Sequence, residues 1–552
     1  MVIKNIAKLM KIRQIGIHTS ILFTSILVGG GVSAQSDIEE IVVIGSQITG
    51  LSTTGALPVT VVGQDELDAI GVSNTEDLLR AIPQIGEIQF NSDETGTSSN
   101  NVRGDIASLN LRGLGADATL SLVNGRRLVT HPGSTTVNGV PIHFVNLNAV
   151  PSLGLDRVEV LLDGAAALYG SDAISGVVNS VLDTDYEGFK VQLRHGFSQG
   201  TTLDETTLKL QGGWALNNGA TNVTMFASLF DRTGMDCSER EYCVTPDKRD
   251  LLPAEFADDT SALALSTLTP LGNYRAGVAT GDFGASSAGF TRTEVSQNGS
   301  AITSSSGQFH FEPTGYSSGV PSNNTGLDLD SGSVPVPLRY AFNGPGLKAL
   351  VPDTGRNNIF TTITHELDSG MEFFGEFSYY DAETETYFAP HVVSGSNNMI
   401  VPAASYWNPF GPTGSVNRLA NIDAPAEGYD MDIEGLRLVD SGLRTVTVDN
   451  SSIRFLAGLR GQVGDWDWEG AAYRSDAESV DSSRQMSRSL FYDAVSRTDA
   501  TAYNPFDGDT MDQDASEFIV DVNRSIETSL TGADFKISTP NLFDLPAGTV
   551  GA

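Results

Sequence analysis

The chain has 552 residues, enough for several ordinary domains or one large one, and carries 33 Lys and Arg against 68 Asp and Glu. A net charge of −35 argues against a nucleic-acid partner, because a phosphate backbone would be repelled, and suits an outer surface bathed in screening salt. Beyond residue 34 no apolar run reaches about 18 residues, which excludes a helical membrane protein but not a β-barrel, whose strands alternate.

Residues 1–34 read as a secretory signal. Lys4, Lys8, Lys11 and Arg13 form a basic start, Ile15 to Val32 is mostly apolar, and Val32-Ser33-Ala34 supplies a small-residue cleavage site. The competing reading is a membrane-spanning anchor, whose core His18, Thr19, Ser20, Thr24 and Ser25 would interrupt. Without this leader 29 Lys and Arg face 68 Asp and Glu, a net charge of −39. No cysteine follows the cleavage site closely enough for a lipoprotein anchor.

Next comes a short, β-prone, acid-led peptide, Ile38-Glu39-Glu40-Ile41-Val42-Val43-Ile44-Gly45, and a Gly/Ser/Thr-rich stretch to Gly55. By composition the peptide is an ordinary first strand or a tethered extended segment. Leu57 to Val62 is a strand closed by Gly63, and Ser73 or Asn74 caps a helix running through Glu76, Leu78 and Leu79 to Ile82, where Pro83 stops it. Phe90 to Asp105, dominated by Asn, Ser, Thr and Gly, reads as a loop. Leu120–Val123 and Arg126–Val129 flank Asn124-Gly125, the strongest short hairpin signal.

In Leu155–Leu182, Val158, Val160 and Leu162 share one strand face, with Arg157, Glu159 and Leu161 on the other. Asp163-Gly164 breaks the strand, Ala165 to Tyr169 gives one helical turn before Gly170, and Gly176 to Leu182 is again strand-like. By pattern alone this is a buried βαβ-like hairpin of any globular domain. The wording is more specific. DRVEVLLDGAAALYGSDAISGVVN, residues 156–179, resembles the plug-domain signature of TonB-dependent outer-membrane receptors. Asn110-Leu111-Arg112-Gly113-Leu114-Gly115 and Leu122-Val123-Asn124-Gly125-Arg126-Arg127 look like two further plug motifs, in the family's order.

The resemblance implies a mixed α/β plug inside a transmembrane antiparallel β-barrel: a signal peptide over 1–34, a TonB box and flexible linker over 35–55, the plug over 56–183, and barrel with long extracellular loops over 184–552. Glu40, Ile41, Val42, Val43, Ile44 and Gly45 stand where that family has its TonB box. There the box adds as a strand to TonB, which works with ExbB and ExbD. The box begins within a few residues of the cleavage site, so transport without a transcriptional signalling domain is expected. The plug positions expected to matter are Arg112, Gly113, Asn124, Gly125, Arg126, Arg157, Glu159, Gly164, Tyr169, Gly170, Gly176 and Asn179. The resemblance further implies that Arg157 and Glu159 help hold the plug against charged barrel-wall residues; simple surface solvation is the alternative. The polar loop over 90–105 is expected on the ligand side.

From Phe189 the alternation becomes regular: Phe189, Val191 and Leu193 oppose Lys190, Gln192 and Arg194. It recurs over Leu208–Trp214, Val223–Leu229, Met371–Tyr379, Ile453–Val463 and Trp466–Glu469. A strand of about ten residues tilted by ~45° covers roughly 23 Å, near the apolar band of an outer-membrane barrel. A soluble sandwich alternates in the same way, and connection lengths separate the two. Residues 216–221, 368–370 and 464–465 are tight turns, while 232–356, 382–450 and 476–525 are long, polar and expected to be structureless, the asymmetry of periplasmic turns and extracellular loops. Cys237 and Cys243, the two cysteines, are expected to pair as a local disulfide; a metal pair lacks a nearby His or further Cys.

About eight strands are expected between 189 and 537. The family uses 22, and a barrel of about eight is filled by its own side chains. The chain is therefore expected to be the N-terminal portion of a receptor of roughly twice the length, unable to close or function by itself.

Two loop stretches echo one another, Tyr406-Trp407-Asn408-Pro409-Phe410-Gly411 and Tyr503-Asn504-Pro505-Phe506-Asp507-Gly508. Each is turn chemistry with an aromatic, either exposed to stack on a ligand ring or simply filling the turn. Asp507, Asp509, Asp512 and Asp514 are either a calcium cluster or a solvated acidic loop; their spacing misses the EF-hand pattern, and no metal site is assigned. His18, His131, His143, His195, His310, His365 and His391 are scattered and read as structural or surface residues. With no Walker loop or HExxH, neither a catalytic residue nor a cofactor is expected.

The function expected is TonB-dependent active transport of a scarce nutrient (ferric siderophore, cobalamin, oligosaccharide or peptide) across the Gram-negative outer membrane. The plug would face the periplasm, with outer-membrane lipid around the barrel and a small ligand at the loops. A non-transporting surface binding or adhesion barrel is the alternative.

Overall fold

A computed structural model describes residues 59–70, 75–83, 85, 87–90, 104–133, 135–137, 140–249, 252–256, 263, 265–280, 289–314, 320–321, 327–331, 340–508, 513–539, 542–545 and 548–550. The leader, Glu40 to Gly45, the candidate caps Ser73 and Asn74, and Asp509 and Asp512 lie outside these residues.

The N-terminal domain is a five-stranded sheet with short helices. Its elements are β1 (Val59–Gly63), α1 (Gln64–Ile70), α2 (Thr75–Arg80), β2 (Thr119–Val123), β3 (Arg126–Arg127), β4 (Leu155–Leu161), α3 (Ala166–Tyr169) and β5 (Gly176–Leu182). The sheet order is β1-β4-β5-β2-β3, with β2 parallel to β5 and every other pair antiparallel. Asn124 (φ 49°) and Gly125 (φ 75°) are both left-handed, as a two-residue hairpin turn matching strand twist requires. At Gly176 (φ 144°) a Cβ would stand 2.3 Å from the Leu161 carbonyl oxygen, so the return strand passes only without a side chain. Leu78, Leu79, Ile85, Leu111, Val158 and Val160 form the core, burial that contributes about 1.5–3 kcal/mol per large apolar side chain. Phe226 and Phe360, from strands outside this domain, complete it.

From residue 188 the chain moves between two sheets. It builds the first, the wall, with β6 (Gly188–Phe197), β7 (Asp204–Leu216) and β8 (Thr221–Thr233). It then leaves for the second, the loop sheet, with β9 (Asn273–Thr280), β10 (Gly289–Arg292), β11 (Gln308–Pro313), β12 (Val320–Pro321) and β13 (Leu327–Asp330). It returns as β14 (Asp353–Glu366) and β15 (Glu372–Phe388), and leaves again for β16 (Val392–Val401) and β17 (Asp430–Arg437). After β18 (Arg444–Val463) and β19 (Trp466–Met486), α4 (Arg488–Val495) packs on the loop sheet, and β20 (Ile519–Ser538) ends the wall. The wall runs β6-β7-β8-β14-β15-β18-β19-β20, all antiparallel. Its outer strands β6 and β20 do not pair with each other, so the barrel is partial and open.

Alternation decides the two wall faces. Phe189 (68% exposed), Leu193 (66%), Val463 (68%) and Phe535 (66%) point outward, whereas Lys209, Gln211, Glu376 and Arg454 are buried on the inner face. Aromatic residues cluster outward near the tight turns, where Trp468 stacks on Phe535 with centroids 6.4 Å apart. Among the described residues no helix is long and apolar enough to cross a membrane.

In their described residues the long connections are not structureless, and two causes account for the difference from expectation. First, β18, β19 and β20 have 20, 21 and 20 residues. At about 3.3 Å per residue they run far past any apolar band, and the ladder continues there, with Val446 and Val448 packed on Phe388. Second, the excursions pool their apolar residues into one core under the loop sheet, ordered β12-β13-β11-β9-β17-β16 with β10 on β9. Tyr274, Phe309, Phe311, Phe410 and Phe506 meet there, with Tyr274–Phe506 centroids 5.0 Å and Phe309–Phe410 centroids 5.3 Å apart. The two Asn-Pro-Phe stretches thus fill turns and expose no aromatic at Phe410 or Phe506: Asn408 Oδ1 accepts from the Phe410 amide (2.8 Å), and Asn504 Oδ1 from the Phe506 amide (3.1 Å).

Candidate functional site: the contact between domain and wall

The N-terminal domain lies against the inner face of the wall, and its β2–β3 hairpin carries much of the contact. Left-handed Asn124 and Gly125 turn the chain so that consecutive side chains diverge. Asn124 Oδ1 accepts from the Leu182 amide at 2.9 Å, while its Nδ2 donates to Glu376 Oε1 of β15 at 2.8 Å. Two residues on, Arg126 (6% exposed) forks between two strands: Nε donates to Asp534 Oδ2 at 3.0 Å, Nη2 donates to Asp534 Oδ1 at 3.1 Å, and Nη2 also donates to Glu469 Oε1. A guanidinium suits this place because its fixed fork meets two carboxylates at once. From the wall, Arg454 reaches in to donate to the Arg127 carbonyl, with Glu376 Oε2 3.6 Å from its Nη2.

A second joint lies nearer the loop sheet. Asp105, fully buried, accepts from Arg356 Nη2 at 2.9 Å and has Arg356 Nε 2.7 Å from its other oxygen. The Tyr380 hydroxyl lies 2.8 Å from Asp105 Oδ2 and 2.7 Å from its carbonyl. Asn146 Nδ2 donates to the same carbonyl (2.9 Å), and Asn358 Nδ2 of the wall to the Asn148 carbonyl (3.1 Å). Burying one carboxylate here is tolerable because a guanidinium and a phenol both face it. Beside this joint, Phe226 and Phe360, directly paired on β8 and β14, enter the domain core. The contact therefore combines an apolar part with polar parts on the same strands.

Between the joints and the tight turns is a cavity of about 690 Å³. Arg126, Arg157, Arg460 and Lys536 line it against Glu159, Glu372, Glu376 and Glu469. Arg157 Nε donates to Glu159 Oε1 (2.7 Å), and Asn179 Nδ2 to Glu159 Oε2 (3.0 Å), so these three brace one another across β4–β5 and face the cavity. Asn179 Oδ1 accepts from the Gly125 amide (2.9 Å), linking that brace to the hairpin. Arg112 (φ 59°) and Gly113 (φ 70°) form a tight turn whose Arg112 Nη2 donates to the Ser175 carbonyl at 2.8 Å. Gly164 and Gly170 frame α3, and Tyr169 lines the cavity while its carbonyl accepts from Arg127. Cys237 and Cys243 are disulfide-bonded, with Cα atoms 5.1 Å apart, just beyond β8.

Sequence reasoning passed over Asp105, Arg356, Tyr380, Arg454, Glu469 and Asp534. The usable signal was charge on the inward register of strands whose other face is apolar. Asp105 itself belongs to the polar run expected to be a loop, yet it is fully buried.

The arrangement is a small sheet domain seated by polar and apolar contacts against the inner face of a strand wall. The family model described as the TonB-dependent receptor plug domain matches residues 53–177. The N-terminal domain is a TonB-dependent receptor plug. A vitamin B12 transporter, BtuB of Vibrio vulnificus (strain CMCP6), is 29% identical over 171 residues, covering 29% of this chain and 25% of that protein. A mutant of the ferric enterobactin receptor PfeA from Pseudomonas aeruginosa, in complex with enterobactin, is similar at 14% identity and TM-score 0.31, covering 78% of this chain and 50% of that one. The ferric preacinetobactin receptor BauA from Acinetobacter baumannii is similar at 11% identity and TM-score 0.34, covering 88% of this chain and 55% of that one. The chain thus spans about half the length of these two siderophore receptors.

Proposed function

We propose that this chain supplies the plug and adjoining wall of an outer-membrane transporter that takes up a scarce small ligand, driven by TonB. The observation that carries the reading is the polar part of the plug–wall contact beside the cavity: Arg126 to Asp534 and Glu469, and Asn124 to Glu376. Such bonds trade for water at small net cost, about 1.5–3 kcal/mol each where a charge is involved. A plug seated through them can shift and return, which a continuous apolar seal would resist. The outward apolar residues of the wall and their aromatic cluster suit lipid, with the tight turns on the periplasmic side and the loop sheet outside. Glu40 to Gly45 are the segment for TonB, an added strand whose backbone makes the grip.

The ligand class follows from the scaffold only as far as ferric siderophore, cobalamin, oligosaccharide or peptide, since specificity sits in the loop sheet. The test deletes Glu40 to Gly45 from the protein in cells and follows labelled ligands of each class. Uptake is expected to vanish while surface binding persists. Undiminished uptake of a ligand the intact protein transports would overturn the reading.

A further inference from the structure

We propose that the loop sheet contains a binding site for one divalent transition-metal ion, of the zinc class, made by His310, Glu312 and Asp330. Strand register brings them together. On β11, His310 and Glu312 are two residues apart and so share a face. On β13, Asp330 pairs directly with His310 and Asp328 with Glu312. Direct antiparallel partners share a face as well, so one side of this ribbon carries a histidine and three carboxylates. The other side carries Phe309, Phe311 and Leu329 into the aromatic core, which fixes the register: a slip by one residue would drive the charged set into that core.

The geometry meets what a metal needs. One ligand atom from each of His310, Glu312 and Asp330 lies within 4.8 Å of the other two. Around an ion bound at about 2.0–2.2 Å, ligand atoms stand roughly 3.3–3.6 Å apart, so small side-chain rotations close the set. His310 Nε2 is already 3.9 Å from Glu312 Oε2. Tyr340 Oη donates to the same Glu312 oxygen at 3.4 Å and orients the carboxylate. His310 and Glu312 are fully buried and Asp328 is 4% exposed, an environment in which a bound cation offsets the cost of gathered carboxylates. The imidazole selects the metal: calcium and magnesium take oxygen ligands, whereas one nitrogen with two carboxylates suits zinc or a neighbouring first-row ion. Three protein ligands leave a fourth position for water. The deep burial assigns the ion a structural role, joining β11 to β13 across the connection between them, and not that of cargo. This inference is independent of the transport reading.

The experiment uses the full chain purified in detergent, stripped with EDTA and titrated with Zn²⁺, with bound metal measured by mass spectrometry. One zinc per chain is expected, together with Zn²⁺-dependent protection of residues 308–330 from proteolysis. His310→Gln and Asp330→Asn are each expected to weaken binding at least tenfold and to abolish the protection, while His195→Gln on exposed β6 leaves both unchanged. Asp330 is only half-buried, so D330N keeps the test decisive where H310Q fails to fold. Absence of stoichiometric zinc in the wild type, equal binding by both variants, or protection by Ca²⁺ in place of Zn²⁺ would each overturn the site.

Discussion

Asp105 of the plug and Arg356 of the wall, 251 residues apart in sequence, face each other in full burial, with Arg356 Nη2 2.9 Å from one carboxylate oxygen and Nε 2.7 Å from the other. Neither charge has water to fall back on. Removing one partner leaves the other stranded, at a cost of about 3–5 kcal/mol, while removing both together costs much less. Asp105→Asn and Arg356→Met are each expected to loosen the plug, and the double variant to recover most of the loss. Hydrogen exchange of the Ile106–Leu109 backbone measures it; additive single effects would count against a coupled pair.

The Arg126 fork predicts a failed rescue. Arg126→Lys keeps the charge but cannot reach Asp534 and Glu469 together, so it should behave nearly like Arg126→Ala, each losing about 1–3 kcal/mol of hairpin docking. A cysteine pair placed across β3 and β20 reads this out as slower cross-linking. Full retention by the lysine variant would show that charge alone suffices.

Gly154 tests the apolar part of the contact. It sits at φ 78°, and a Cβ there would stand 1.7 Å from Phe226 Cε1. Gly154→Ala should therefore push the plug off β8, costing about 1–3 kcal/mol from overpacking plus backbone strain. Phe226→Ala in the same chain should relieve the clash, so the two losses combine to less than their sum. A denaturant melt of the four-member cycle measures the coupling.

The loop sheet should respond to pH through Asp432. Burial pushes its carboxyl up to about 6 from an ordinary 3.8; Glu434 adds to the shift, and Arg275 and Arg292 oppose it. The folded form therefore holds the proton more tightly than the unfolded one. Stability is greatest below 3.8 and falls as pH rises to about 6, by on the order of 3 kcal/mol. His391 acts oppositely: burial first, then the Arg444 charge, hold it down to about 4, so its contribution grows with pH between about 4 and 6.5. Comparison with Asp432→Asn isolates the carboxyl. The variant should be more stable than wild type at pH 8 and equal to it near pH 3.5, by thermal melts; equal stability at both would refute the assignment.

Much of the wall was legible because each strand has one apolar and one polar neighbourhood, so Phe189-Lys190-Val191-Gln192 declares its own geometry. The Asn124-Gly125 turn was legible for a similar reason, since only certain residues accept two left-handed positions. The loop sheet was not. Its core draws Tyr274, Phe309, Phe410, Phe491 and Phe506 from separate excursions, each too polar by itself to announce a strand. Nor was the plug–wall joint: Asp105 stands at the end of a run of Asn, Ser, Thr and Gly, and a buried ion pair leaves no mark on local periodicity.

The sheet order of the plug also decides how it would answer a force. The backbone N-terminal to Val59 enters at β1, one margin of the sheet, whereas Arg126 fastens β3, the opposite margin, to the wall. Tension on that leading segment would load the β1–β4 ladder, which runs from Val59 opposite Leu161 to Gly63 opposite Arg157. Loaded across the ladder, a five-residue ribbon would part rung by rung, at lower force than the same ribbon sheared along its length. A pull on that segment would thus act on one margin of the sheet while the Arg126 contacts hold the other.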